Sequence, residues 1–336
     1  MAETTIPNEL IPKVWAKRLW VEAKKKIFFD KFTGEEVPTG DKTSETSFDN
    51  IVHIATDLSK NPGDTITIGL AYQLSGAGVS GTNTMEGQEE QINFYDFSVT
   101  IDRIRNAALW DDVLMGYKSP YAIRNAAKGL LSDWLAGKIE DMTVDALSAS
   151  PTNVLYGGDA TDDDEIDSSD VFSTTLIDAA VRKAKLLQPR IRPIKIKGKE
   201  YYVVLAHPYQ ILSLRSENAW QQAQREANIK GDENPIFSGA AGIWGGAIIY
   251  EYERIKTYSN WGADGKQPGA RALLLGAQSV VWAFGTKVYW KERTTDYDKI
   301  GIQIGSILGV KKTVFNSKDY ATIALDTYAT ETYPSA

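Results

Sequence analysis

The chain has 336 residues and a formal net charge of −7, from 37 Lys+Arg against 44 Asp+Glu, with 43% hydrophobic and 24% charged residues. At roughly 100–200 residues per domain this is room for two domains or one elaborate one, with enough apolar material for a sizeable core. It contains no cysteine and only two histidines, His53 and His207, which excludes a disulfide framework, a thiolate nucleophile, Cys-ligated zinc and iron–sulfur clusters, and leaves little of the usual acid–base repertoire. No stretch approaches the ~18 consecutive apolar residues of a membrane span, and Met1 to Pro7 lack the basic-then-apolar order of a signal peptide. The sequence therefore reads as a protein made and kept in a cytoplasm, with no membrane contact. The aromatic content (9 Trp, 16 Tyr, 10 Phe) suits either protein–protein contacts or a β-rich core.

In chain order, residues Pro12 to Phe32 carry Val14, Trp15, Leu19, Ile27 and Phe28 at helical spacing. Seven cations interleave them, Lys13, Lys17, Arg18, Lys24, Lys25, Lys26 and Lys31, against Glu22 and Asp30. This predicts a basic amphipathic arm, either a solvated helix or a surface for a partner or nucleic acid. Thr33 to Asn50 is rich in Gly, Pro, Thr and Ser and reads as a connection. Thr65–Leu74 alternates Ile66, Ile68, Leu70, Tyr72 and Leu74 with small or polar residues, the period of a strand with one covered face. Its partner starts at Ile92 and Phe94 and continues Tyr95, Phe97, Val99 and Ile101 on the other parity, a change that suggests a bulge near Asp96. The span Ser75 to Gln91 between them is too long for a tight turn, and a two-stranded ribbon is marginal by itself.

Ser119-Pro120 opens a helix as N-cap and first turn. Its stripe, Ile123, Ala127, Leu130, Leu131, Trp134, Leu135, Ile139, Met142 and Leu147, runs to about Ser148, roughly 40 Å of helix at 1.5 Å per residue. A long helix beside a long ribbon predicts an elongated molecule, with Trp134 as a packing residue of the helix. Asp159 to Asp170 is an acidic loop that fails the Ca²⁺-loop pattern. A second helix spans Ser173 to Leu187 and stops before Pro189. Residues 190–260 read as a mixed α/β unit: strand Tyr201–Ala206, a short helix from His207-Pro208, helix Glu217–Asn228 and strand Ala247–Tyr252. Short β runs follow at Leu273–Leu275, Val280–Phe284, Val288–Trp290, Ile300–Ile304, Val314 and Ile323–Leu325.

Chemistry is hard to place on this chain. Gly76-Ala77-Gly78-Val79-Ser80-Gly81 spells G-x-G-x-x-G after a strand, but the following residues carry no helical stripe, so it reads as a loop tip. No Walker, nucleophile-elbow or H-E-x-x-H motif occurs. His207 precedes a proline at a strand end, where a structural hydrogen bond is the expected role; His53 sits in the apolar run Ile51-Val52-His53-Ile54. No residue is assigned a catalytic, cofactor-binding or metal-ligating role, and no cofactor is implied.

The succession of arm, ribbon, long helix, α/β unit and returning strands resembles the major capsid fold of tailed bacteriophages, an α+β, Hong Kong 97-like fold. Particular residues sharpen this: Gly63-Asp64-Thr65-Ile66-Thr67-Ile68, Met85-Glu86-Gly87-Gln88-Glu89-Glu90 and Val99-Thr100-Ile101-Asp102 around the ribbon, and Ala127-Lys128 through Asp133-Trp134-Leu135-Ala136 in the helix. Later come Ile236-Phe237-Ser238-Gly239 with Gly245-Gly246, Arg271-Ala272-Leu273-Leu274-Leu275-Gly276-Ala277-Gln278, and Gly309-Val310-Lys311-Lys312-Thr313-Val314-Phe315. These are similar to the capsid family typified by coliphage N-four. The resemblance implies an N-terminal arm (1–62), an extended β-ribbon loop overlapping a neighbouring subunit (63–118), a peripheral domain with the spine helix (119–189), an axial domain (190–270), and return strands with the C-terminus (271–336). It further implies a non-enzymatic protein of the virion capsid, assembled in the bacterial host cytoplasm. The shell would be icosahedral, built of hexameric and pentameric capsomers of this chain, with double-stranded DNA on its inner face. Portal, scaffolding and decoration proteins are the other partners the resemblance brings; the arm is too short to hold a scaffolding segment. Two alternatives are an encapsulin-like nanocompartment shell and a nucleotide-binding enzyme using Gly76 to Gly81.

Overall fold

The computed structural model describes residues 10–33, 36–39, 43–46, 49–56, 63–71, 79–81, 84, 86, 89, 94–111, 123–196, 198–226, 240–295 and 299–331. The chain forms two compact units. The first comprises Met1–Ile66, Val99–Leu147 and Val280–Lys311; the second comprises Thr67–Ser98, Ser148–Ser279 and Lys312–Ala336.

In the first unit, helix α1 (Leu10–Lys26) is followed by a 3₁₀ turn at Phe28–Phe32, and a short hairpin pairs β1 (Glu36–Thr39) with β2 (Thr43–Thr46). A four-stranded sheet has the order β3–β14–β15–β6, from β3 (Val52–Ala55), β14 (Val280–Thr295), β15 (Lys299–Lys312) and β6 (Asp102–Asp111). β3 runs parallel to β14, with His53 opposite Val281, and β15 runs antiparallel to β6. His53 is a buried strand residue, as its apolar neighbours predict. The short β runs read at 280–284, 288–290 and 300–304 are parts of two long strands, of 16 and 14 residues. Glycines suggested the breaks, but in β15 they mark close approach. A Cβ on Gly305 would collide with the Tyr289 ring, and one on Gly309 with the Thr100 carbonyl. Gly285 likewise sits 3.0 and 3.1 Å, at a notional Cβ, from Ile101 and Ile307. Strand β6, which falls within the 63–118 span expected as a ribbon loop, pairs along its whole length with β15 in this sheet.

Helix α2 (Ile123–Ser148) is the long helix; its proposed cap, Ser119-Pro120, lies outside the described residues. Its buried face runs through Ala127, Leu131, Leu135, Ala136, Ile139, Thr143, Val144 and Leu147. Ala127, Leu131, Leu135, Ile139 and Leu147 of the expected stripe lie on it, but Leu130 is 71% exposed and Trp134 only half-buried, so Trp134 flanks the core rather than filling it. Val14, 46% exposed, is likewise not on the buried side of α1, which is carried by Leu19 and Ala23.

The ribbon strands β4 (Thr65–Ala71) and β5 (Phe94–Thr100) pair in a two-stranded sheet of their own. Period two holds: Ile66 is buried between exposed Thr65 and Thr67, and Phe97 and Val99 are buried on β5. Phe94 is 74% exposed, on the opposite parity. The tip, apart from residues 79–81, 84, 86 and 89, lies outside the described residues.

The second unit is built on a sheet of order β10–β11–β9–β13–β18–β7, with β12 added to β13 and β8 to β9. These are β7 (Val154–Tyr156), β8 (Ile194–Ile196), β9 (Lys199–Ala206), β10 (Gly242–Trp244), β11 (Ala247–Glu251), β12 (Thr257–Trp261), β13 (Gln267–Leu275) and β18 (Thr322–Tyr328). β9 and β11 are parallel, and β13 is antiparallel to both β9 and β18. Ala272, Leu273, Leu274 and Leu275 are all at 0% exposure, the continuous apolar run of a strand covered on both faces. Helix α3 (Thr174–Leu186) supplies Leu176, Ile177, Ala180, Val181 and Ala184 to a core shared with Tyr202, Val204, Leu274, Ile323 and Leu325. Ser173 caps it by accepting from the Leu176 N–H. Helices α4 (Pro208–Ser216) and α5 (Asn218–Glu226) and the hairpin β16 (Val314–Phe315) with β17 (Lys318–Asp319) complete the unit.

Candidate assembly elements

The basic arm is built onto its own unit through aromatic and ionic contacts. Trp15 stacks on Trp290 with centroids 5.8 Å apart, and Arg18, Arg124 and Lys128 approach the Trp15 ring at 5.9, 5.2 and 5.8 Å. Arg124 pairs with Glu292, which also accepts from Trp290 Nε1 at 2.6 Å. Lys128 Nζ lies 2.6 Å from Glu22 Oε1, and Lys26 Nζ 2.5 Å from Asp133 Oδ1 and 3.0 Å from Ser132 Oγ. The Phe28 amide donates to Glu140 Oε1. These bonds explain why Ser132, Glu140 and Thr143 occupy the buried face of α2: each has a polar partner, Thr143 accepting from Trp282 Nε1 at 3.1 Å. Lys24 pairs with Asp30 at 3.4 Å, so Lys24 and Lys26, two of the arm's seven cations, are engaged within the subunit. Lys31 lies 3.7 Å above the Phe28 ring, and burial pulls its ammonium down to about 8.

At the ribbon's base the Ile101 amide donates to the Asp64 carbonyl at 2.9 Å. In the second unit Phe97 meets Phe315 at 5.9 Å, and Phe315 meets Tyr320 edge-on at 5.4 Å. A groove of about 640 Å³ beside this cluster is lined by Tyr95, Asn153, Pro189, Phe315, Lys318 and Tyr320 among others.

A buried charge centre ties β13 to β18. Arg271 donates from Nε and Nη2 to both oxygens of Asp326 at 2.7 and 2.6 Å, and from Nη1 to the Ser148 carbonyl at 3.2 Å. The guanidinium lies 5.1 Å from the Tyr258 ring and 5.9 Å from Trp261. Burial pushes the Tyr156 phenol up to about 12, helped by Asp163, Asp326 and Asp162. Composition-level reading missed this centre. The available signal was a lone Arg and a lone Asp within otherwise apolar strands, positions that require a buried counter-charge.

His207 serves as the N-cap of α4: its Nδ1 accepts from the Tyr209 amide at 3.3 Å, and Gln210 Oε1 accepts from the His207 amide at 3.1 Å. Burial lowers the imidazole pKa, consistent with an unprotonated Nδ1. His53 and His207 belong to different units. Gly76 and Gly78 lie outside the described residues; Gly81 has φ +77°. Among the described residues no cluster of three or more His, Asp or Glu is placed to hold a metal ion, and no helix is long and apolar enough to cross a membrane.

Comparison with known proteins supplies the identity these elements point to. A family model described as phage capsid protein matches residues 4–150 and 136–331. The major capsid protein of Pseudomonas phage KPP25 is 24% identical, over 92% of this chain and 93% of that one. The capsid of Ralstonia phage GP4 superposes with a TM-score of 0.78 at 27% identity, covering 93% of both chains. The capsid of cyanophage Pam1 shares the fold, with a TM-score of 0.75 at 22% identity, covering 84% of this chain and 90% of that one. These likenesses favour neither a nanocompartment shell nor a nucleotide-binding enzyme. The chain belongs to the phage capsid protein family, a major capsid protein on the Hong Kong 97-like α+β fold that assembles with copies of itself into the virion capsid.

Proposed function

We propose that the chain forms the icosahedral shell around the double-stranded DNA of a tailed bacteriophage, assembling as hexameric and pentameric capsomers in the host cytoplasm and carrying out no catalysis. The reading divides the chain into arm (1–62), ribbon loop (63–118), peripheral domain with α2 as spine (119–189), axial domain (190–270) and return strands (271–336). Portal, scaffolding and decoration proteins are its further partners. The observation that carries the proposal is the ribbon: β4 and β5 pair only with each other among the described residues, and Phe94 is left 74% exposed. A two-stranded ribbon is marginal alone, so a neighbouring subunit is the natural cover. Limited proteolysis tests this. Cleavage within Ser75 to Gln91 should be rapid in free subunits and suppressed in shells; equal cleavage in both would refute the overlapping-ribbon role.

A further inference from the structure

Among the described residues β6 ends the sheet β3–β14–β15–β6. One side is laddered to β15 without a register shift, from Asp102 opposite Leu308 to Asp111 opposite Lys299. From Asp102 to Trp110 no residue is buried. Ile104, Asn106, Ala108 and Trp110 share a half-covered face; Arg103, Arg105, Ala107 and Leu109 share the exposed one, Leu109 at 61%. The amides of Arg103 and Ala107 donate to Asp102 Oδ1 at 2.6 Å and Asn106 Oδ1 at 2.8 Å rather than to β15. Alternate residues of an antiparallel strand turn their amides to the same side, so the odd-numbered residues present N–H and C=O at the open edge. The strand has no proline, glycine or bulge to blunt that edge.

We propose that β6 is an augmentation edge that pairs antiparallel with β6 of a second copy of this chain, across a two-fold axis centred on Ala107. The inference rests on the reading that the chain assembles with itself. Because only odd-numbered residues bond outward, opposed residues must share parity, and the self-pairings are then centred on residue 105, 106, 107 or 108. Centring on 105 sets Arg105 against its own copy, a like-charge pair. Centring on 106 opposes Arg103 to Leu109 and Asp102 to Trp110. Centring on 108 opposes Arg105 to Asp111 over a ladder limited to residues 105–111. Centring on 107 uses residues 103–111 of both strands, sets Arg103 opposite Asp111 twice, and places Ile104 opposite Trp110. It is the longest ladder that opposes unlike charges. On pairing, the Arg103 and Ala107 amides exchange their Asp102 and Asn106 side-chain acceptors for carbonyls of the second copy, a bond-for-bond replacement.

The chain has no cysteine, so a single introduced thiol reports one register. Directly opposed residues in a hydrogen-bonded antiparallel pair have Cα atoms about 5.5 Å apart, within disulfide reach. Arg105→Cys, Asn106→Cys, Ala107→Cys and Ala108→Cys shells would be oxidised and run on non-reducing gels. The expected result is a covalent dimer strongly favoured by Ala107→Cys. Shells of normal appearance with no dimer at any of the four positions, or with most dimer at another position, would overturn the pairing. As an independent measurement, Arg103→Asp should lower particle yield several-fold and Arg103→Asp combined with Asp111→Arg should restore it; a double variant no better than the single would also overturn it. Failure of the unsubstituted chain to form particles would instead bring down the assembly reading, and this pairing with it.

Discussion

Replacing Arg271 by methionine would leave the Asp326 carboxylate, at 0% side-chain exposure, without its bidentate partner. Methionine keeps most of the aliphatic volume between Tyr258 and Trp261, so the loss is mainly electrostatic. Breaking a buried pair from one side costs about 3–5 kcal/mol. The cell of chemistry available to relieve it is protonation of Asp326. From an ordinary Asp pKa near 3.9, taking up that proton at pH 7 costs about 3 pKa units, or about 4 kcal/mol, in agreement with the first figure. At pH 5 the same uptake costs only about 1.5 kcal/mol. The destabilisation of Arg271→Met should therefore shrink by more than about 2 kcal/mol between pH 7 and pH 5. Urea unfolding of unassembled subunits at the two pH values measures it. Arg271→Met combined with Asp326→Leu removes both charges and should recover most of the loss. A loss below about 1 kcal/mol at pH 7, or one independent of pH, would refute the account of a buried, mutually required pair.

Three further outcomes follow from the same geometry. His207 has a lowered pKa in the folded state, so it binds fewer protons there than when unfolded; its contribution is fully present above pH about 6.5 and is lost as pH falls below that. His207→Ser should keep the cap and flatten this acid dependence in thermal melts, whereas His207→Ala should cost about 1 kcal/mol at pH 8. Leu135→Ala, at a fully buried position of α2, should cost about 2–5 kcal/mol, against less than about 0.5 kcal/mol for Leu130→Ser, with Trp134→Ala between them. Lys26→Glu faces Asp133 and should lower subunit melting by a few degrees, about 1 kcal/mol, while Lys25→Glu, an exposed position, should leave it unchanged.

The parts of the fold that were legible in the sequence are those specified locally. The helix expected over Ser173 to Leu187, His207-Pro208 as a helix start and the alternation from Thr65 each depend on neighbours a few residues away, and the structure has a helix over Thr174–Leu186, a helix from Pro208 and a strand from Thr65. What escaped depends on partners distant in the chain. The buried face of α2 includes Ser132, Glu140 and Thr143, which look solvent-facing until Lys26, the Phe28 amide and Trp282 are seen to satisfy them. That is why the apolar stripe, placed correctly at Ala127, Leu131, Leu135, Ile139 and Leu147, also takes in Leu130 and Trp134 beside the buried face. Strand β15 is legible only over Ile300–Ile304 because what requires Gly305 and Gly309, the ring of Tyr289 and the carbonyl of Thr100, lies on other strands. Arg271 and Asp326 are 55 residues apart, and pairing across β13 and β18 alone brings them together. The family itself was legible, through the order of weak motifs rather than any single one.

The central claim is that this chain builds a closed shell from copies of itself. Electron cryo-microscopy of the purified protein, with three-dimensional reconstruction of whatever particles form, tests it most directly. The account predicts closed icosahedral particles in which hexamers and pentamers of one chain are resolved, with density for residues 75–91 lying on an adjacent subunit. A uniformly monomeric preparation under every condition in which the subunit is folded would contradict it, as would particles whose ribbons contact no neighbour.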